Sequence, residues 1–373
     1  MASLIDFFLI LPCVAALIYF QQRIIKYSKD ENEKLYCKIL LGLFIFVIFS
    51  FLINVDYKFP AGFIIWLGFS VMIAFFALYN FINIRILHRT QEMEEIDKIF
   101  QELRGHTHEY LRKFFHFFVF GGVLLFLFIY NSILIVLLDT YPNFGEYYDI
   151  HPWWPGFDYK VYPIYILPTQ VDGSLWIFFM LALPFAIIVE FFRLSPKMGI
   201  PFYRLFVKSL RPKEQYNAAH YYFFVFGVFI STSFLPVACT FGILCVLCFG
   251  DTLASIIGKK IGKHKLPVVF QSDKSWEGTI GGSLITFFTS MWFVGWELAI
   301  ILALIFGVFD ILTPNFLKIS DNFLYPLLSI AVLYVIVVLL GFEIHAPIAD
   351  LFRIWDEFYW NYLPDWQKAF YNF

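Results

Sequence analysis

The sequence predicts an all-α, polytopic membrane protein of about ten transmembrane helices, and three observations lead there. First, 60% of the 373 residues are hydrophobic and only 15% charged, with a mean hydropathy of +0.72. Soluble domains run nearer half apolar and a quarter charged. Second, the apolar residues gather into runs of roughly 20, the length that crosses a hydrocarbon core. Third, basic residues alternate sides between those runs. This composition excludes an ordinary soluble enzyme, a nucleic-acid binder and a disordered chain. The net charge of −2 matters less than where the charges sit.

The runs fall at 3–21, 37–55, 61–83, 114–138, 174–192, 220–236, 237–256, 279–295, 297–314 and 323–341. The first has no basic lead-in and no small-residue cleavage site, so it is expected as a retained helix rather than a signal peptide. The pairs meeting at Pro236 and at Gly295–Trp296 are too closely spaced for long connections and read as tight helical hairpins. Met93, Ile96, Ile99, Phe100 and Leu103 recur every three or four residues in a charged stretch, which predicts an amphipathic helix on the inner surface. The segment 139–173, with His151-Pro-Trp-Trp-Pro155, carries the aromatic residues that favour a membrane–water boundary. Phe352, Trp355, Phe358, Tyr359 and Tyr362 predict an interfacial helix in the tail. The domains expected are a three-helix segment 1–84, an amphipathic helix 85–113, a membrane core 114–341 and an interfacial tail 342–373.

Lys and Arg stay preferentially in cytoplasmic loops. The ten-helix reading puts all but four of the 27 basic residues on one side, leaving only Lys58, Lys160, Arg353 and Lys368 opposite. Both termini then lie on the non-cytoplasmic side. The five cysteines lie in or beside apolar runs, and Cys245-x-x-Cys248 reads as small buried residues rather than a metal pair. His106-x-His108 reads as a surface loop.

An ionisable residue inside a spanning helix costs roughly 2.5–3.5 kcal/mol on insertion scales, which makes it a functional candidate. Glu190, with Arg193 one turn on, Asp251, Asp310, and Asp321 with Asn322 are such residues. All fall toward the cytoplasmic ends of their helices, as do Arg112, Lys113 and His116 at the start of the fourth. Five segments thus aim polar groups at one inner zone. A structural ion pair is an equal reading for Glu190 and Arg193.

The stretch after Asp251 is the most specific part of the chain. It reads Gly250-Asp-Thr-Leu-Ala254, Gly258, Gly262-Lys263-His264-Lys265, then Lys274-Ser-Trp-Glu-Gly278. Glycines let a backbone approach phosphates, and repeated lysines neutralise them. An aspartate just upstream can hold Mg²⁺ bridging those phosphates. Gly258-x-x-x-Gly262-Lys263 is one residue short of a Walker loop, and His264 replaces its Ser or Thr.

These residues resemble the signature shared by CTP-dependent polyprenol kinases (dolichol and phytol kinases) and phosphatidate cytidylyltransferases, over roughly residues 105–340. Glu109-x-x-Arg112-Lys113-x-x-His116 is similar to an element that opens the kinase core, Asp321-Asn322 with Pro326 to its Asp-Asn-x-x-x-Pro, and Glu190-x-x-Arg193 to its acidic–Arg pair. The cytidylyltransferase element Ser-Pro-Lys-Lys-Thr-x-Glu-Gly appears as Ser272-Asp273-Lys274-Ser275-Trp276-Glu277-Gly278, without the Pro, and that branch's C-terminal signature is missing. Asp310 departs from the kinase pattern, which has Glu there.

The resemblance implies transfer of the γ-phosphate of CTP to an isoprenoid alcohol, with Mg²⁺, at the cytoplasmic face. The membrane would be the endoplasmic reticulum in a eukaryote and the cytoplasmic membrane in a prokaryote. Asp251, Lys274, Glu277, His116 and Glu190 would be catalytic, with His116 and Glu190 both open as the base. Gly258, Gly262, Lys263, Lys265, Lys274, Ser275, Gly278, Arg112 and Lys113 would face the nucleotide phosphates. Asp251, with Asp321 or Asp310, would hold the metal. The partners implied are CTP, the alcohol and the bilayer, without nucleic acid, and a homodimer stays open. A cytidylyltransferase making a CDP-lipid is the first alternative. A non-catalytic transporter or lipid-binding protein is the second, although polar residues clustered toward one face argue against a transport path.

Overall fold

The computed structural model describes residues 2–54, 61–86, 112–114, 116–126, 129, 167–195, 210, 214, 216–267, 274–312, 321–345 and 347. Within them the regular secondary structure is helical, apart from one isolated antiparallel bridge between Lys265 and Ser275. The helices are α1 (Ala2–Tyr27), α2 (Glu31–Asn54), α3 (Ala61–Phe81), α4 (residues 112–114 and 116–126), α5 (Leu167–Leu194), α6 (His220–Phe234), α7 (Val237–Cys245), α8 (Asp251–Lys260), α9 (Trp276–Leu312) and α10 (Asp321–Leu333). Single π-helical stretches follow α3, α7 and α10, at Ile82–Ile86, Val246–Gly250 and Tyr334–Leu339.

Among the described residues four stretches are long and apolar enough to cross a membrane: Gly68–Arg85, Val237–Lys260, Trp276–Leu312 and Asn322–Leu339. This is consistent with a polytopic membrane protein. The side-chain pattern of α9 agrees. Ile280, Leu284, Phe288, Trp292, Trp296, Ile300, Leu304 and Val308 are exposed at every fourth position, whereas Gly278, Gly282, Thr286 and Ser290 are buried. Large apolar groups outside and small residues at helix contacts are what lipid-facing helices require.

Helix α9 folds back on itself. Gly295 has φ of 83°, a conformation that glycine adopts without a Cβ penalty. Thr279 bonds Asp310, Gly282 packs against Phe306, and Ser283 lies against Gly307, so the two arms run antiparallel about Gly295. The hydroxyls of Ser231 and Thr240, 2.9 Å apart, likewise join α6 and α7 around Pro236. Helix ends reach further than hydropathy alone indicates. The fifth segment begins at Leu167 rather than 174, because Thr169, Gln170 and Asp172 dilute an apolar window without disfavouring a first helical turn, and Pro168 suits that position.

The α1–α2 turn is fastened to the segment before α6. Asn217 Oδ1 accepts from the amides of Lys29 and Asp30 at 2.8 and 2.9 Å, and the Lys29 ammonium lies 3.8 Å from the centre of the Tyr216 ring. Above that clamp, Phe20 stacks on Phe191, Tyr36 on Phe323, and Phe44 meets Phe226 edge-on. Most of the 85–113 stretch expected as an amphipathic helix, most of the 139–173 segment, most of the interfacial tail and the His106–His108 pair lie outside the described residues.

Candidate active site

The helix from Val237 to Lys260 is interrupted by the π-helical turn Val246–Gly250, directly before Asp251. Such turns widen a helix by one residue and frequently mark functional positions. Here the turn delivers Asp251 into the interior, where it is 6% exposed. Lys113, from the start of α4, donates to Asp251 Oδ2 and, at 3.1 Å, to its carbonyl oxygen. Two motif elements 138 residues apart in sequence thus end on one buried ion pair.

A second pair joins the segment just before α9 to the second arm of that helix. Lys274 Nζ is 2.6 Å from Asp310 Oδ1 and donates to the Asp310 carbonyl at 3.0 Å. Thr279 Oγ1 donates to Asp310 Oδ2 at 2.6 Å, and the Tyr325 hydroxyl to Oδ1 at 3.3 Å. Asp310 therefore ties together both arms of α9, the residue ahead of it and α10.

The glycines of the motif have a packing explanation. A Cβ on Gly278 would meet the Ala254 carbonyl and the Gly258 Cα, and one on Gly282 would meet Ala254 and Phe306. A Cβ on Gly262 would collide with the Gly258 carbonyl and Ser275. These glycines bring α8, the loop after it and α9 into backbone contact. Ser275 caps α9, its Oγ accepting from the Gly278 amide at 3.2 Å. Glu277 accepts from the amides of Lys263 and His264, each at 3.1 Å, and lies 2.6 Å from His264 Nδ1. With Leu266 donating to the Lys274 carbonyl and Trp276 to that of His264, the two ends of the loop are pinned. Lys263 and Lys265 on this loop, and Lys259 and Lys260 in the last turn of α8, are exposed.

His116 is buried, stacked on Phe224 at 5.1 Å and edge-on to His220 at 5.7 Å. Its carbonyl accepts from Cys248 Sγ at 3.3 Å. Neither ring nitrogen has a hydrogen-bond partner among the described residues. Glu190 is the opposite case. Arg193 grips both its oxygens, Oε2 at 2.9 Å through Nε and Oε1 at 2.5 Å through a terminal nitrogen, while the Ala219 amide and the Tyr221 hydroxyl supply two more donors. Arg193 also reaches the carbonyls of Glu214 and Asn217. This network braces α5 against the start of α6. Arg112 is buried beside Lys113. Asp321 opens α10, with the buried Asn322 next to it.

Among the described residues no three His, Cys, Asp or Glu gather closely enough to hold a metal by themselves. The carboxylates that Mg²⁺ would use together with substrate phosphates, Asp251 and Asp310, are each paired with a lysine here. Cys245 and Cys248 are buried free thiols, Cys245 donating to the Thr289 carbonyl. Sequence reasoning missed Thr279, Tyr325, Glu214 and His220. Thr279 and Tyr325 stand one helical turn after Ser275 and Asp321, a spacing that could have drawn them in.

Helices of membrane length that carry buried lysine–aspartate pairs, beside a histidine whose ring nitrogens have no hydrogen-bond partner among the described residues, are consistent with an integral membrane protein. The chain is similar, over part of its length, to plant phytol kinases. It is 32% identical over 102 residues to the probable phytol kinase 3 of Glycine max, covering 24% of this chain and 31% of that protein. It is 31% identical over 102 residues to the probable phytol kinase 2 of Oryza sativa subsp. japonica, covering 25% and 32%. The chain thus matches about a third of the length of these curated relatives. No protein-family model and no solved structure matches it.

Proposed function

We propose that the protein is a membrane phosphotransferase that moves the γ-phosphoryl group of CTP to an isoprenoid alcohol at the cytoplasmic face. The observation that carries this reading is the buried Lys113–Asp251 pair, because it unites the two motif elements that resemble polyprenol kinases. The partial similarity to phytol kinases points the same way. The reading includes ten spans with both termini on the non-cytoplasmic side.

Phosphoryl transfer needs positioning and charge stabilisation more than covalent chemistry. Lys113 and Lys274 would each turn its ammonium from its aspartate to a phosphate oxygen. Lys263 and Lys265, on the pinned loop, supply further positive charge. Asp251 would hold Mg²⁺, with Asp310 or Asp321 assisting, and the ion would neutralise phosphate charge. Both oxygens of Glu190 are engaged by donors, which leaves His116 as the group suited to the acceptor hydroxyl.

The test offers purified protein with Mg²⁺ CTP labelled at either the α or the γ phosphorus, with isoprenoid alcohols and phosphatidate as acceptors. Label from the γ position on the alcohol is the expected result. Label from the α position on phosphatidate would replace the kinase by a cytidylyltransferase. No transfer to either lipid would return the protein to the transporter or lipid-binding class.

A further inference from the structure

We propose that Glu214 and His220 are positioning residues that hold the His116 ring against the acceptor hydroxyl. This rests on the kinase reading and gives a role to two residues that no motif singles out.

His116 is held by packing rather than by hydrogen bonds. His220 and Phe224 stand four residues apart at the start of α6, so their side chains share one face. Together they form a slot, Phe224 stacked on the His116 ring and His220 edge-on to it. His220 is itself oriented, its Nδ1 lying 3.1 Å from Glu214 Oε2. A carboxylate on Nδ1 fixes both the plane and the tautomer of an imidazole. The Glu214 backbone is anchored in turn, its carbonyl accepting from Arg193 at 2.9 Å and from the Asn217 amide at 3.4 Å.

All three side chains are buried, with residue exposures of 2% for His116, 1% for His220 and 4% for Glu214. Leaving a buried polar group without a partner is destabilising. Both His116 nitrogens are in that position among the described residues, and a ligand hydroxyl would relieve that cost at one of them. A ring locked by neighbours, with its nitrogens unpaired among the described residues, is the arrangement a proton acceptor needs.

In the reaction, the acceptor O–H bond breaks and its proton goes to an imidazole nitrogen of His116. The alcohol oxygen forms a bond to the γ-phosphorus. The bond from that phosphorus to the β,γ-bridging oxygen breaks, and its electron pair leaves with CDP. The proton on His116 then passes to water.

The experiment measures kcat and the KM for CTP with γ-labelled CTP and an isoprenoid alcohol, in detergent. It compares wild type, His220→Ala, His220→Asn and Glu214→Gln. His220→Ala should lose about 100-fold in kcat, within the range for disabled acid–base groups, while the KM for CTP changes less than about threefold. His220→Asn places an amide nitrogen where Nδ1 donates, and should recover at least a tenth of the wild-type kcat. Glu214→Gln should lose about tenfold. An unchanged kcat in His220→Ala, or equal losses in His220→Ala and His220→Asn, would overturn the positioning role. If His220→Ala does not fold by size exclusion, Glu214→Gln decides, and a wild-type kcat there overturns the role. A wild-type protein that transfers no label would remove the kinase reading and this role with it, an outcome distinct from insensitive variants of an active enzyme.

Discussion

Lys113 and Asp251 illustrate what a buried charge pair can and cannot do for a site. Removing one partner of such a pair strands a charge and costs about 3–5 kcal/mol, whereas replacing both by apolar residues is often neutral or stabilising. Asp251→Asn should therefore lower both turnover and thermal stability, because it leaves the Lys113 ammonium without its carboxylate. Lys113→Met combined with Asp251→Leu should recover most of the melting temperature yet remain inactive. Thermal unfolding and label transfer on the same preparations check both. The reach of sequence at this scale followed residue type. Asp251, Lys113 and His116 stand out because ionisable side chains are costly in apolar helices. Thr279 and Tyr325 are unremarkable by type, and only the fold brings them to Asp310. The Glu190 network also escaped full reading, since the Ala219 amide and the Glu214 and Asn217 carbonyls enter it through the backbone path.

The α8–loop–α9 unit depends on close backbone approach. Gly282→Leu would drive a side chain into Ala254 and Phe306. Overpacking of this kind typically costs about 1–3 kcal/mol, so a lower melting temperature and reduced transfer are expected, in contrast to a wild-type profile if that face were open. Glu277 holds the loop by accepting from two backbone amides and from His264. Hydrogen bonds to a charged group contribute about 1.5–3 kcal/mol. Glu277→Gln should thus loosen the lysine-bearing loop and raise the KM for CTP about tenfold, with a smaller effect on kcat. Steady-state kinetics over a CTP range measures it. The motif's spacing identified this unit in the sequence. It did not reveal that the glycines serve helix contact, because a glycine that admits a phosphate and one that admits a neighbouring helix look alike without the neighbour.

At the scale of the whole molecule, hydropathy pointed to the helices found among the described residues, and basic residues suggested an orientation. The joints were less legible. The hairpin at Gly295 was readable from two abutting apolar runs, while the clamp of Asn217 on the α1–α2 turn was not, since it joins residues 188 positions apart through backbone amides. The orientation itself can be measured. The native cysteines among the described residues are buried, which keeps background labelling low. Cysteines placed at Lys265 and Lys58 should react with a membrane-impermeant thiol reagent from opposite sides, Lys265→Cys from the cytoplasmic side. Reaction of both from one side would reverse the loop assignment.

The most direct test of one buried site built from two distant motif elements is a double-mutant cycle on Lys113 and Asp251, read as transfer of the γ label of CTP to an isoprenoid alcohol. Residues that act as a unit are non-additive. Each single variant should lose at least about 1,000-fold, and the double variant should be no worse than either, a difference from additivity of several kcal/mol against the ~0.5 kcal/mol of independent sites. Additive losses, or a single variant with near wild-type transfer, would contradict the account.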